Sequence, residues 1–101
     1  MNRIITENIE KIKEYCKAYK VKELYAVGSV VSDKFSKDSD IDLLITFDEI
    51  SIEEYTDNYF TLHKLFRKIF NRKIDLITEK SLSNPFFIKS IEQTKQLLYA
   101  G

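Results

Sequence analysis

Three aspartates and a glycine–serine pair are the residues of this chain whose types and spacing could do chemistry. Asp40 and Asp42 are separated by one residue, and Asp75 lies in a later apolar run. Gly28 and Ser29 come earlier, with ten residues between Ser29 and Asp40. Carboxylates are good ligands for Mg²⁺, which proteins usually hold with one or two of them together with substrate phosphates. The set therefore predicts a site for Mg²⁺ and a nucleoside triphosphate.

The predicted strands could bring the three carboxylates together. Asp40 and Asp42 should lie on one face of a strand, because side chains alternate across a strand. Taken alone, such a pair is more often simply solvated. If the strand of Asp75 is adjacent, the three carboxylates could hold one or two metal ions for phosphoryl transfer. Asp75 could also accept a proton from an attacking hydroxyl.

Gly28 and Ser29 have the features of a phosphate-binding turn. Glycine lets the backbone approach a ligand closely. The Ser29 hydroxyl, and free N–H groups at the start of a following helix, can donate hydrogen bonds to phosphate oxygens. Most glycine–serine pairs after a strand are plain turns, so this pair is informative only in combination with the three carboxylates.

Hydrophobic periodicity predicts the elements that position these residues. Three apolar runs are typical of strands: residues 24–27, 41–47 and 73–78. Apolar residues at spacings of three and four predict helices: residues 5–19, one or two turns in 30–35, then 52–69 and 85–98. Ser51 begins a capping-box pattern, and Asn84 precedes a proline as an N-cap residue would. The class is α+β (α/β), a single domain over residues 1–101 with a small sheet covered by helices.

Composition narrows the setting of this domain. Lys plus Arg and Asp plus Glu number 16 each, so there is no overall basic field and we expect no stable nucleic-acid binding. The single cysteine excludes an intramolecular disulfide and fits a reducing cytoplasm. The chain begins without the apolar core of a signal peptide and has no apolar run of membrane-spanning length. We therefore expect a cytoplasmic protein without a membrane partner.

The combination of motifs resembles a known family. Gly28-Ser29, ten residues and Asp40-x-Asp42, followed by Asp75 on a later strand, is similar to the signature of the nucleotidyltransferase superfamily with the DNA polymerase β-like fold. The short chain further resembles the minimal nucleotidyltransferases (MNT), which include antitoxins paired with HEPN-domain toxins. The resemblance covers nearly the whole chain in element order and length. It implies a nucleotidyltransferase fold with a small mixed sheet.

The resemblance also implies a role for each matched residue. Gly28 and Ser29 would bind the triphosphate of ATP. Asp40, Asp42 and Asp75 would be catalytic and would coordinate Mg²⁺, with Asp75 as metal ligand or base. The implied enzyme is a nucleotidyltransferase that moves AMP from ATP to a hydroxyl and releases pyrophosphate. In the antitoxin branch the acceptor is a tyrosine of the HEPN toxin.

One departure from the family pattern keeps other hypotheses open. Many members carry Arg directly after the Gly-Ser pair, whereas this chain has Val30, and Lys34 or Lys37 could replace the missing cation. A second hypothesis is therefore a binding antitoxin with a weak or inactive site, which neutralises its partner by complex formation. A third is a small-molecule, aminoglycoside-type nucleotidyltransferase. Such enzymes usually carry an additional domain, for which this length leaves little room.

The remaining polar and aromatic residues favour structural roles. His63 and Cys16 are single residues of their type, too few for a zinc site. Tyr55 and Tyr59 are expected mainly in the core, with an adenine pocket as the less favoured alternative. A basic cluster lies near the end of the third helix, where a solvated face is the default and contact with phosphate or an acidic partner the alternative. Its members are Lys64, Arg67, Lys68, Arg72 and Lys73.

Overall fold

A computed structural model describes residues 2–101 as a four-stranded sheet with helices on both faces. The helices are α1 (Arg3–Ala18), α2 (Ile52–Phe70) and α3 (Pro85–Thr94), and the strands are β1 (Val21–Val27), β2 (Ile41–Phe47), β3 (Ile74–Thr78) and β4 (Gln96–Ala100). Short 3₁₀ turns span Gly28–Val31 and Glu79–Ser81. The sheet order is β3-β2-β1-β4, with β2 and β3 parallel and the other pairs antiparallel. This mixed sheet confirms the predicted class.

The two faces of the sheet are covered unequally. α1 and α2 pack on one face, where Ile12 and Phe66 are fully buried with Leu43 of β2. On the opposite face only a small cluster forms, in which Leu44 packs with Ile91 of α3. Because side chains alternate along β2, the residues between its core positions face the side of α3. The carboxylates therefore lie on the less covered face.

Local sequence signals define two helix starts as predicted. The Ser51 hydroxyl accepts a hydrogen bond from the N–H of Glu54 at 3.1 Å and begins α2. The Asn84 side chain accepts bonds from two N–H groups in the first turn of α3, with Pro85 as its first residue. Asn71 ends α2 in the left-handed conformation, with φ +51°. Ser51 and Asn84 thus satisfy backbone N–H groups that a helix start leaves unpaired.

The predicted last helix is too long, and the fourth strand was not predicted. α3 ends at Thr94, and the chain continues in extended form as β4, which pairs with β1. Leu98, predicted on the helical face of Ile91, is instead buried in the core under α1 and α2. A spacing of seven residues fits a helix locally. The extended form is favoured because it pairs with the otherwise free edge of β1 and satisfies the backbone groups of both strands. The local sequence pattern cannot indicate this partner, because β1 is far away in the chain.

The helical turns predicted for residues 30–35 are also wrong, because only the 3₁₀ turn Gly28–Val31 forms. The Ser32 side chain donates a hydrogen bond to the carbonyl of Ser29 at 2.9 Å and accepts one from the N–H of Lys34 at 3.1 Å. Such local bonds compete with helix formation, and adjacent valines disfavour it further. β1 also begins earlier than predicted, at Val21, with a register shift between Val21 and Glu23.

None of the helices described in residues 2–101 combines the length and apolar character that a membrane span requires.

Candidate active site

Asp42 and Asp75 lie side by side on neighbouring strands. The parallel pairing of β2 with β3 places Asp42 in register with Asp75. The residues that follow them, Leu43 and Leu76, are buried in the core under α1 and α2. Alternation therefore directs both aspartates to the opposite face. The adjacency of strands on which the sequence argument depended is present.

Asp40 lies just before β2, at the edge of the same site. Its carboxylate is 3.8 Å from the Nζ of Lys73, in an ion pair whose side chains are 46% and 76% exposed. Exposed pairs of this kind contribute about 0–1 kcal/mol, so this one is no strong barrier to a competing cation. The structure thus brings Asp40 near the other two aspartates, while the positive charge of Lys73 partly offsets the negative charge of Asp40.

The three carboxylates interact electrostatically. Burial raises the pKa of Asp42 above its ordinary value, and the negative charges of Asp75 and then Asp40 raise it further. Each of these causes penalises the charged form of Asp42. A cation bound among the carboxylates would relieve the repulsion.

Gly28 closes the site from the side of β1. Its φ of +72° lies in the left-handed region, which glycine adopts without strain. A Cβ added to Gly28 would overlap the Asp42 carboxylate. Glycine is therefore required here both by the backbone turn and by the space that Asp42 occupies.

Ser29 lies in the 3₁₀ turn and borders an open cavity between this turn and α3. The cavity has a volume of about 380 Å³ and is lined among others by Gly28, Ser29, Lys34 and Phe87. This volume is at the lower end of the range for small-molecule sites, about 300–1,000 Å³. A second cavity, of about 360 Å³, is lined by Asp75, residues of the loop between β3 and α3, and again Phe87.

Val30, which takes the place of the arginine expected from the family resemblance, does not face these cavities. Val30 is 2% exposed and packs in the core under α1 and α2. Of the two lysines considered as substitutes, Lys34 lines the cavity of Gly28 and Ser29, whereas Lys37 is absent from its lining. The structure thus separates two candidates that the sequence left equal.

The donor set fits Mg²⁺ shared with a substrate. Among residues 2–101, no group of three or more Asp, Glu, His or Cys side chains is placed to hold a metal ion alone. Mg²⁺ is rarely held by an all-protein cage and usually takes one or two carboxylates together with substrate phosphates. Asp42 and Asp75, in register on one face, supply such hard oxygen donors.

Several residues weighed in the sequence have structural contacts. The Tyr59 hydroxyl donates a hydrogen bond to the carbonyl of Leu76 at 2.6 Å, and Tyr55 packs edge-on against a phenylalanine of β2 with ring centroids 5.0 Å apart. The His63 ring nitrogen lies 2.9 Å from a carbonyl of β3. Burial raises the pKa of the Cys16 thiol to about 12, which leaves it inert as a nucleophile. Tyr55, Tyr59 and Cys16 pack with the core under α1 and α2, and the pKa of Tyr59 is raised by burial and then by the charge of Asp75.

Arg72 has a role that the sequence argument missed. Its guanidinium donates hydrogen bonds to the carbonyls of Ser36 and Ser39, at 3.1 and 2.8 Å, and lies 4.6 Å from the ring centroid of Phe35. Arg72 therefore fixes the loop that leads into Asp40. Its partners are 33 and 36 residues away in the chain, so no local signal pointed to them.

Comparisons with known proteins identify the family of this chain. The family model described as a nucleotidyltransferase domain matches residues 9–98. A Methanocaldococcus jannaschii protein provisionally named a protein adenylyltransferase is 39% identical over 90 residues, covering 88% of this chain and 89% of the relative. A second such protein from the same organism is 37% identical over 82 residues, covering 80% of each chain.

Solved structures share the fold at low sequence identity. A structure described as a minimal nucleotidyltransferase has a TM-score of 0.69 at 19% identity and covers 95% of both chains. A chain of a toxin–antitoxin crystal structure with AMP-PNP has a TM-score of 0.70 at 18% identity, covering 93% of this chain and 74% of that one. A chain from the complex of tri-AMPylated Shewanella oneidensis HEPN toxin with MNT antitoxin scores 0.64 at 17% identity, covering 95% and 72%. By its family match and its relatives, this chain belongs to the nucleotidyltransferase domain family and is a nucleotidyltransferase.

Proposed function

We propose that this protein is a Mg²⁺-dependent protein adenylyltransferase that transfers AMP from ATP to a tyrosine of a HEPN-domain toxin and thereby acts as an antitoxin. The observation that carries the proposal is the in-register pair of Asp42 and Asp75, with Asp40 beside it, on the open face of the sheet. The names of the M. jannaschii relatives support the reaction class. The neighbouring toxin–antitoxin structures support the kind of partner.

In this proposal the carboxylates organise the transfer. Asp42 and Asp40 would hold Mg²⁺ together with phosphate oxygens of ATP, and the metal when bound would neutralise phosphate charge. Asp75, which is exposed, would serve either as a further metal ligand or as the base that accepts the proton of the acceptor hydroxyl. The hydroxyl oxygen bonds to the α-phosphorus of ATP, the bond from that phosphorus to the bridging oxygen breaks, and pyrophosphate leaves. The products are an AMP-modified tyrosine and pyrophosphate.

The glycine–serine turn and Lys34 bind the triphosphate in the same proposal. Gly28 keeps the backbone close to the site, and the Ser29 hydroxyl donates a hydrogen bond to a phosphate oxygen. Lys34, which borders the same cavity, supplies the positive charge for which the family resemblance leads us to expect arginine. Lys37 has no such position.

A binding antitoxin with a weak site is the second candidate. Two observations favour it: the arginine position is occupied by the buried Val30, and Asp40 is paired with Lys73. The first removes a positive charge that would bind the triphosphate. The second offsets part of the negative charge that would bind the metal. No feature of the described residues favours the small-molecule hypothesis.

The direct test is transfer of label from α-³²P-ATP to the purified HEPN-domain partner with Mg²⁺ present. We expect label on a partner tyrosine, and a loss of at least about 100-fold in Asp42→Asn, because the carboxylate that meets metal and phosphate is gone. Asp57→Asn, an exposed position on α2, is the matched control and should keep wild-type activity.

Two results would count against adenylyl transfer. The first is an absence of label with a partner that the protein demonstrably binds. The second is suppression of partner toxicity, at wild-type strength, by the triple variant Asp40→Asn, Asp42→Asn, Asp75→Asn. The latter result would establish the binding antitoxin instead.

Thermal unfolding should reveal the cost of ionising Asp42, which comes first from burial and then from the charges of Asp75 and Asp40. The pKa of Asp42 is raised on folding, so the ionised carboxylate destabilises the fold above that raised pKa, and the penalty disappears as pH falls toward the ordinary value. Without Mg²⁺, Asp42→Asn should therefore melt above wild type at pH 7, by a margin that shrinks on acidification. Mg²⁺ should raise the melting temperature of wild type more than that of the variant. A margin independent of pH, or equal Mg²⁺ responses, would contradict this account.

The two lysines provide a matched pair for the triphosphate. Loss of a charge-assisted hydrogen bond costs about 1.5–3 kcal/mol, so Lys34→Ala should raise the KM for ATP by about 10- to 100-fold. Lys37→Ala removes the same charge outside the cavity and should leave the KM close to wild type. Steady-state kinetics at fixed ionic strength would measure both. Equal effects of the two substitutions would mean that Lys34 acts only through net charge.

A further inference from the structure

Two adjacent phenylalanines at the start of α3 are unusually exposed. Phe86 is 84% exposed and Phe87 is 46% exposed. α3 is held to the sheet by Ile91, which is 4% exposed and packs with Val27 and Leu44. Phe87 precedes Ile91 by four residues and so lies on the same helical face, one turn nearer the helix start. Phe86 lies about 100° around the helix from Phe87.

Phe87 stands between the two halves of the proposed site. It lines the cavity of Gly28, Ser29 and Lys34, and it also lines the cavity of Asp75. Among the described residues that line either cavity, it is the only aromatic one. The ring of Phe87 therefore borders both the cavity of the glycine–serine turn and the cavity of Asp75.

We propose that Phe87 is the nucleobase-stacking residue of this nucleotidyltransferase. The inference rests on the proposed function, since it requires a nucleoside triphosphate in the site. A nucleotide with its phosphates at Gly28 and Ser29 and its reacting phosphorus at the carboxylates extends along the border that Phe87 forms. The base then meets an exposed aromatic face, the surface on which bases stack in many nucleic-acid-binding proteins.

The chemistry of stacking predicts how the site treats different nucleotides. Every base has a π-face, so stacking tolerates any base and adds affinity without hydrogen-bond readout. ATP and GTP should consequently bind with similar strength through this contact. The affinity for tripolyphosphate, which has no base, should not depend on Phe87.

Titration calorimetry with Mg²⁺ and either AMP-PNP or tripolyphosphate separates these contributions. Phe87→Ala should raise the Kd for AMP-PNP by about 5- to 100-fold, the range of base–aromatic stacking, and leave the Kd for tripolyphosphate unchanged. Phe86→Ala, the more exposed neighbour that lines neither cavity, is the matched control and should change neither value. Phe87→Leu keeps apolar bulk without a ring and should behave like Phe87→Ala for AMP-PNP.

A fluorescence experiment reports the contact directly. The chain has no tryptophan, so Phe87→Trp introduces a single indole at the site. AMP-PNP should quench its emission and bind at least as tightly as it does to wild type, and tripolyphosphate should leave the emission unchanged. Phe86→Trp should not respond to either ligand. In turnover, Phe87→Leu should raise the KM for ATP with little change in kcat, as expected for binding that is equal in ground and transition states.

The outcomes distinguish this inference from the proposed function. If wild type binds AMP-PNP no better than tripolyphosphate, or if Phe87→Leu matches wild type, stacking is wrong while the nucleotidyltransferase site stands. Equal losses for both ligands in Phe87→Leu would show that Phe87 only supports α3, which also overturns the inference. Failure of wild type to bind AMP-PNP at all would overturn both proposals.

Discussion

The parallel, in-register pairing of β2 with β3 is the constraint on which the site depends. It places Asp42 opposite Asp75 and directs both away from the helical core. A slip of one residue would reverse this arrangement, because it would turn Asp75 into the core and Leu76 out of it. The apolar residues on either side of the aspartates therefore fix the geometry of the charges.

This register is maintained against the repulsion that it creates. Two unit charges one strand spacing apart, about 4.8 Å, repel by on the order of 1–3.5 kcal/mol between fully aqueous and surface-like dielectric conditions. Full burial of one Leu or Ile side chain contributes about 1.5–3 kcal/mol, and the four residues adjoining the two aspartates in β2 and β3 are all buried. Core packing thus outweighs the cost. The negative charge that remains would attract a metal ion, which in turn would bind the anionic triphosphate.

Much of this arrangement could be predicted from the sequence, and the misses have a common cause. Alternation along the second strand predicted Asp40 and Asp42 on one face, and Asp75 beside them on condition that its strand is adjacent, which the pairing of β2 with β3 confirms. Cap residues such as Ser51 and Asn84 located helix starts. Those signals are local. β4, by contrast, depends on the edge of β1, which lies about seventy residues earlier in the chain. Arg72 likewise acts through carbonyls far away in the sequence. The sequence could not show which of Lys34 and Lys37 lies near the site, because that depends on the path of the chain after the 3₁₀ turn. Hydrogen bonds of Ser32 keep this segment from continuing as a helix.

The central claim is that Asp42, with Asp40 or Asp75 beside it, binds a metal ion that is shared with a triphosphate, and crystals grown with Mn²⁺ and AMP-PNP would test it most directly. Mn²⁺ favours the same oxygen ligands as Mg²⁺ and is visible by anomalous scattering. The account predicts an anomalous peak coordinated by Asp42 and at least one of Asp40 and Asp75, shared with phosphate oxygens near Gly28 and Ser29. If Asp40 is the second ligand, its ion pair with Lys73 should be open. Bound AMP-PNP with no metal at these aspartates, or with its phosphates elsewhere on the protein, would contradict it.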